Sequence, residues 1–476
     1  MAILSKKDER FRSYALNGKP LQVILSFCGP LALFQALQGI FKILDALMAS
    51  HIGADAVSAV AVLSQITLMI NALGAGLAVG GSIKISEAYG RGDYDLVSKR
   101  VSTIYIMAVM VSVVVAGVLI PFAEPFLRLL NTPEDLILAG TGYFRIEILT
   151  LVINFFNTVY IAIARSRGHA KKILGLNLAT VIVKLGFSAF FVYVLESGVT
   201  MIAVATLLGQ LLMLFYALWS MSRDEGIFRF SRKNISLKKD TVSPMLKLAY
   251  PVSAEKVLFA AGKVIVNSMA GDYDSMAAGA LGISNNIGGL TTFWHMGFSD
   301  GASPLISQNR GAGKYKRTLQ LYFWLLVVDI LIGVIGLALV SWSLPWLATV
   351  FAQSKDAFDQ EFCDMIVSIH QWEMVGYITL GINSATMALL LGYGYSKRTM
   401  ILNVARVFVF RIPVLWFLQN FTDVGVEAVG LTMMISNVST GLAAIGFAIP
   451  VVRDIMRLAK QEELEAEQTT ADKSLE

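Results

Sequence analysis

A block of this sequence occurs twice. Gly76, Ser82, Gly90, Gly92 and Tyr94 return as Gly297, Ser303, Gly311, Gly313 and Tyr315, and Pro30 returns as Pro251, every pair 221 positions apart. An offset held constant across two expected helices and the turn after them makes the chain a duplicated object, so both halves must enter any account of it. A later echo has its own offset: Gly168, Lys171 and Asn177 stand 226 positions before Gly394, Lys397 and Asn403, and Glu147 stands 226 before Glu373.

The solvent for this duplicated chain is lipid. Of 476 residues, 55% are hydrophobic and only 15% charged, with a mean hydropathy of +0.64, which is too apolar for a water-soluble fold of this length. Cys28 and Cys363 sit inside apolar runs, so they read as small hydrophobes rather than disulfide partners or metal ligands. The first twenty residues are polar and basic and lack the apolar core of a signal peptide, so none is expected to be removed. The net charge of +5 comes from short clusters between apolar runs, which argues for membrane orientation and against nucleic acid.

Apolar stretches of the roughly 20 residues needed to cross a bilayer lie near 21–48, 55–83, 101–122, 143–164, 173–195 and 198–221. A second set lies near 245–270, 276–307, 318–350, 363–391, 399–418 and 426–452. Lys and Arg concentrate in alternate loops, such as Arg165, Arg167, Lys171 and Lys172, or Arg310, Lys314, Lys316 and Arg317, while the opposite loops hold little beyond Arg128 and Lys355. This asymmetry places both ends in the cytoplasm and requires an even helix count. The expected fold is all-α and integral to the membrane, with twelve transmembrane helices in two pseudo-symmetric six-helix bundles. They form parallel repeats about an axis along the membrane normal, with a cavity between the lobes. The expected segments are a cytoplasmic amino-terminal segment (1–20), an N-lobe (21–221), an inter-lobe loop (222–244), a C-lobe (245–452) and a cytoplasmic tail (453–476). The tail turns from basic to acidic and reads as solvated and disordered.

The motifs that carry a family resemblance are IFKILDALMASHIGADAVSAVAV, GAGLAVGGSIKISEAYGRGDYD with its echo MGFSDGASPLISQNRGAGKYKR, and the glycine-basic turns at 167–172 and 392–398. Together, over about 20–460, the chain resembles the MATE family of multidrug and toxic compound extrusion transporters. The resemblance implies a V-shaped pair of six-helix bundles that alternates between inward and outward openings and exports organic compounds in exchange for Na+ or H+. In the DinF-like branch an Asp lies in the first helix within an Asn-Leu-Val-Asp pattern; here the pattern reads Lys42-Ile43-Leu44-Asp45, so Asp45 carries over and the Asn does not. The branch's fifth-helix Asn and Asp fall on Lys184 and Ser188, both departures. In the NorM-like branch a seventh-helix Glu falls on Phe259; Glu255, one turn earlier, inherits no role by motif.

A carboxylate buried at mid-membrane costs several kcal/mol unless a proton, a cation or a basic side chain neutralises it. Asp45 is therefore the leading coupling residue, with Lys184 and Lys42 as possible partners and Glu255 as a further coupling group or a partner for Lys256 or Lys263. Lys42 and Lys263 are equivalent in the two repeats. Two readings stand side by side for them: a cationic cavity that binds an anionic substrate, or local pairs with Asp45 and Glu255. Gln65, Asn286, His295 and Trp294 are the expected polar and aromatic substrate lining, although a lone His such as His295 is more often a packing residue. Glu147 and Glu373 are expected near the outer membrane boundary as anchors or gates, and Arg406 and Arg411 as buried pairs or snorkelling side chains.

No nucleophile-base set, phosphate loop or metal cluster appears, so no enzyme and no cofactor beyond H+ or Na+ as coupling ion are expected. The reading is a monomeric antiporter of a prokaryotic cytoplasmic membrane whose partners are an organic small molecule and the bilayer. Proton coupling is favoured over sodium, because Lys184 and Ser188 replace the oxygen ligands a hard cation needs. The alternative keeps the fold and makes the chain a flippase for a lipid-linked anionic precursor.

Overall fold

The computed structural model describes residues 4–52, 54–129, 134–224, 226–274, 276–352 and 360–475, and their side chains outside 40–66, 126–127, 129, 134–140, 199, 351, 466 and 469–475. Among these residues there are helices and turns and no strand. The helices are α1 (Lys6–Asn17), α2 (Pro20–Ile52), α3 (Ala54–Arg91), α4 (Tyr94–Leu119), α5 (Ala123–Leu129), α6 (Glu134–Ser166), α7 (Ala170–Ala189) and α8 (Val199–Arg223). The second half holds α9 (Lys239–Gly271), α10 (Ala277–Gly311), α11 (Tyr315–Ala352), α12 (Gln360–Glu373), α13 (Tyr377–Gly392), α14 (Ser396–Phe408), α15 (Ile412–Phe421) and α16 (Glu427–Leu475).

Ten helical stretches among the described residues are long and apolar enough to cross a membrane. The expected stretches near 245–270 and 276–307 are present as α9 and α10, of 33 and 35 residues, longer than a crossing needs but more polar. Two paths are broken. A 3-10 turn at Met374–Gly376 divides α12 from α13, and residues 409–411 divide α14 from α15. Twelve helical paths result.

The repeat is visible in the backbone. Gly92 and Gly313 have φ of +83° and +72°, and Gly168 and Gly394 have +81° and +82°. Each ends a helix in the left-handed region, where an L side chain is strained and glycine is not.

The chain divides into two compact units, but not at the expected boundary. Unit 1 comprises residues 1–13 and 40–257, and unit 2 comprises 14–39 and 258–476, so the first part of α2 belongs with the second repeat and the first part of α9 with the first. Glycine seams give the reason. In unit 2, a Cβ added at Gly297 would come within 2.2 Å of Ala32 Cα, and one at Gly301 within 2.8 Å of Cys28 Sγ. In unit 1, a Cβ at Gly76 would come within 2.7 Å of the Ala249 carbonyl oxygen, and one at Gly80 within 2.5 Å of that of Met245. Small residues let helices approach this closely in lipid, and the packing they allow replaces the hydrophobic drive that water supplies.

The tail also departs from expectation. α16 continues to Leu475, and Glu462 accepts from the backbone N–H groups of Tyr315 and Lys316 at 2.8 and 3.1 Å. A carboxylate is stabilising at a helix amino terminus, where N–H groups lack intrahelical partners, so the acidic run docks onto α11. The amino-terminal segment is likewise ordered: Asp8 of α1 accepts from Arg167 at 3.1 Å, and Arg167 also donates to Asp224 at 2.6 Å. Burial, with the nearby Arg167 charge, holds His169 in the same turn down at about 4.

Candidate functional site

One stripe of α10 carries Ser284, Gly288, Thr291 and His295, spaced at three and four residues and therefore on a single face. All four are buried in unit 2. The α12–α13 path presents His370, Glu373, Tyr377 and Gly381 at the same spacing, also buried except that Glu373 is 10% exposed at its side chain. The break in this path falls directly after Glu373.

The two stripes are joined by hydrogen bonds. Ser284 Oγ donates to Glu373 Oε2 at 2.5 Å and lies 2.8 Å from His370 Nδ1. His370 Nε2 lies 2.8 Å from the Tyr377 hydroxyl. With the Ser284 hydroxyl donating to Glu373, a neutral His370 donates from Nδ1 to Ser284 and accepts at Nε2 from Tyr377. In that tautomer the donors run in one direction, from Tyr377 through His370 and Ser284 to the carboxylate.

Two arginines lie on or beside the second broken path. Arg411, 2% exposed, opens α15; its Nε donates to Ser436 Oγ at 3.1 Å and its Nη2 to Asn437 Oδ1 at 3.3 Å. Arg406 donates to the same Asn437 oxygen at 2.7 Å, while its Nε is buried without a hydrogen-bond partner among the described residues. A buried guanidinium is costly unless its donors are satisfied, and the neutral Ser436 and Asn437 meet part of that need. Further along α10, His295 Nδ1 lies 2.9 Å from Asp329 Oδ1 of α11, the two side chains 2% and 0% exposed.

These findings redistribute the expected residues. Lys42, Asp45 and Gln65 fall on helical backbone whose side chains lie outside the described residues. Lys184 is half-buried on α7, where α8 approaches closely enough that a Cβ at Gly209 would stand 3.3 Å from Lys184 Cβ. Glu255 belongs to unit 1 and Lys263 to unit 2, and Lys263 Nζ lies 6.0 Å from the Phe259 ring centroid. Asn286 is exposed and Trp294 half-buried, so neither joins the buried stripe.

The surroundings of three expected groups are now plain. Glu373, expected as a boundary anchor or gate, sits at the helix break with Ser284 and His370 as its partners. His295, expected as substrate lining, is enclosed against Asp329. Arg411 is buried as expected and Arg406 half-buried, and their direct partners are the neutral Ser436 and Asn437. Asp329 and His370 went unread, although an acid inside the apolar run LLVVDILIG and a His three residues before Glu373 are intramembrane ionisable groups, which mark functional sites by default. Among the described residues no cluster of three His, Cys, Asp or Glu is placed to hold a metal ion.

The described family profile MatE matches residues 30–190 and 251–417, one copy in each repeat. The chain belongs to the MatE family. It is 23% identical over 90% of its length to a probable multidrug resistance protein, YpnP, of Bacillus subtilis, covering 94% of that protein. It is 22% identical over 96% of its length to the multidrug export protein MepA of Staphylococcus saprophyticus, covering all of it. Solved structures share its fold. An outward-facing multidrug resistance MATE transporter of the MOP superfamily superposes with a TM-score of 0.89 at 18% identity, over 96% of this chain and 100% of that one. A MOP superfamily transporter from Pyrococcus furiosus gives 0.89 at 18% over 95% and 99%. This MatE chain is therefore a multi-pass membrane protein of a transporter family, built as two six-helix bundles of the MATE fold.

Proposed function

We propose that the protein is a secondary active exporter of organic small molecules, working by alternating access against a proton gradient in a prokaryotic cytoplasmic membrane, with both ends cytoplasmic. The observation that carries the reading is the buried, hydrogen-bonded group of Glu373, His370 and Ser284, with the buried Arg411 on the neighbouring broken path. Ionisable residues inside a membrane are costly, and their retention marks ion or substrate pathways. The names of the relatives, probable multidrug resistance and multidrug export proteins, support the cargo class. A His-containing network favours H+ over Na+, because imidazole exchanges protons near neutral pH whereas a hard cation prefers oxygen ligands.

Asp45, with Lys184 and Glu255, remains the proposed coupling set of the first repeat, and Lys42 and Lys263 a proposed anion-binding pair. The reversed binding-pocket polarity described for the Pyrococcus furiosus neighbour supports testing anionic cargo beside cationic dyes. The deciding experiment compares uptake of both into proteoliposomes under an imposed pH gradient and an imposed Na+ gradient. Uptake that follows the pH gradient and is lost in Asp45→Asn is expected. Failure of every compound to move under either gradient overturns the reading, and lipid-linked material copurifying with the protein would instead favour a flippase.

A further inference from the structure

We infer that His295 and Asp329 form a second proton-carrying site in unit 2, distinct from Asp45 and from the Glu373 group; this rests on the exporter reading above. The pair is enclosed on α10 and α11, yet each partner keeps one polar atom unused. His295 Nε2 and Asp329 Oδ2 are buried with no hydrogen-bond partner among the described residues. Buried polar atoms are nearly always paired, and an orphan requires an explanation.

Comparison of the repeats shows that the pair is built in at a place that otherwise holds carbon. By the two offsets, His295, Asp329 and Gly381 correspond to Gly74, Ala108 and Phe155. In unit 1, Gly74 makes room for the Phe155 ring, with a Cβ there falling 2.2 Å from Phe155 Cδ1. In unit 2 the exchange is reversed: Gly381 lies against His295, with a Cβ there falling 3.0 Å from His295 Cε1 and 2.5 Å from the Asp329 carbonyl oxygen. A ring from one helix is replaced by an imidazole from its neighbour, and Ala108 by the carboxylate that binds it. Packing alone is met by the apolar version, so the imidazole and carboxylate serve something else.

The chemistry is proton binding. With a neutral imidazole and an ionised carboxylate the pair has a net charge of −1; a proton added at Nε2 gives an imidazolium-carboxylate pair of net zero. One N–H bond forms, and the proton leaves a water or hydroxyl donor. Ser384 donates to the His295 carbonyl at 2.8 Å and fixes α13 against α10 there. The other titratable or charged groups on the packed elements include Tyr322 of α11, bonded to Thr386 at 3.2 Å, Tyr377, His370 and Glu373 of α12–α13, and Asp300 of α10, which accepts from Gln35 of α2 at 3.1 Å; Arg310 of α10 and Tyr315, Lys316 and Arg317 of α11 lie at the far helix ends. Thr291, on the same buried stripe of α10, is one turn from His295, about 6 Å along the helix.

The test uses purified full-length protein with Asp329→Asn, His295→Gln and both together. In proteoliposomes, each is expected to lose gradient-driven accumulation of a compound the wild type moves by about ten-fold or more, while keeping downhill exchange of that compound within about two-fold. In detergent, an indicator-dye acid titration should count one proton fewer per molecule in Asp329→Asn than in the wild type. Wild-type accumulation in the variants, or equal loss of accumulation and exchange, overturns the site. Should Asp329→Asn not elute as a monodisperse protein, His295→Gln and its proton count decide. A wild type that transports nothing defeats the exporter reading instead, and the proton count still judges the pair by itself.

Discussion

The two units share a fold and differ in what fills them. Among the described residues of unit 1 the buried ion pairs, Arg167 with Asp8 and Asp224, sit at helix ends, while along the helices Asn154 donates to Asn71 and Asn157 to Gln210, each at 2.9 Å, and Ser82 meets Ser166 at 3.0 Å, all neutral contacts. Unit 2 buries His370, Glu373 and Arg411, with half-buried Arg406 beside Arg411, and separately His295 with Asp329. Phe144 and Leu151 stand where unit 2 has His370 and Tyr377, and only Glu147 repeats Glu373. A duplicated scaffold thus needs none of these charges in order to fold, which is the argument that unit 2 retains them for transport. That difference predicts unequal responses to the same kind of substitution.

The largest effect is expected at Glu373. Glu373→Ala removes the charged acceptor of Ser284 and the carboxylate 3.6 Å from His370 and should lower stability by about 3–5 kcal/mol. The double variant Glu373→Leu with His370→Leu should recover most of that loss, since an apolar replacement of a buried pair is often neutral. Thermal unfolding in detergent measures both. A double variant as unstable as the single one would show that the charges hold the bundle together and would undo the contrast with unit 1.

Next is the reciprocal change. Ala108→Asp puts a carboxylate, without an imidazole beside it, at the 0% exposed position that Asp329 occupies in unit 2, and it should cost several kcal/mol. Asp329→Ala should cost only about 1–3 kcal/mol, the loss of one buried hydrogen bond. Equal costs would mean that the two sites are alike and that unit 2 is not specialised there.

The glycine seams should respond alike in both units. Gly297→Ala drives a methyl into the Ala32 backbone and Gly76→Ala drives one against Ala249 and Ser253, each costing about 1–3 kcal/mol. A much smaller effect of either on the melting temperature would argue against the exchanged packing of α2 and α9.

Those seams also show where the sequence ran out. The duplication, the twelve spans and the glycine turns were legible because each is a periodic or locally steric property of the chain. The exchange was not. Gly76 and Gly80 are repeated as Gly297 and Gly301, and their partners Ala249 and Ser253 repeat Cys28 and Ala32 at the same offset of 221. Pairing within a copy and pairing between copies therefore satisfy the same pattern. Asp329 and His370 were lost in the hydropathy of the runs that contain them, whereas Asp45 stood out because a family motif pointed to it. The helix breaks that seat Glu373 and Arg411 follow from tertiary packing: a Cβ at Gly376 would stand 2.5 Å from Asn437 Cβ, a contact that no local propensity encodes.

The smallest predicted effect separates the repeats at a helix start. In unit 1, Asp93 caps α4 with its own side chain, accepting from the Leu96 N–H at 3.1 Å. The equivalent residue in unit 2 is Lys314, which cannot accept, and Glu462 of the docked tail takes over that role for α11. Asp93→Ala and Glu462→Ala should therefore each cost about 1 kcal/mol, the usual worth of a cap. Lys314→Asp gives α11 a cap of its own, so in that background Glu462→Ala should cost a few tenths of a kcal/mol at most, since one acceptor can stand in for another. Unfolding of the four variants measures the coupling. Additive costs would mean that Glu462 holds the tail without capping α11, and the acidic run would return to being a solvated extension.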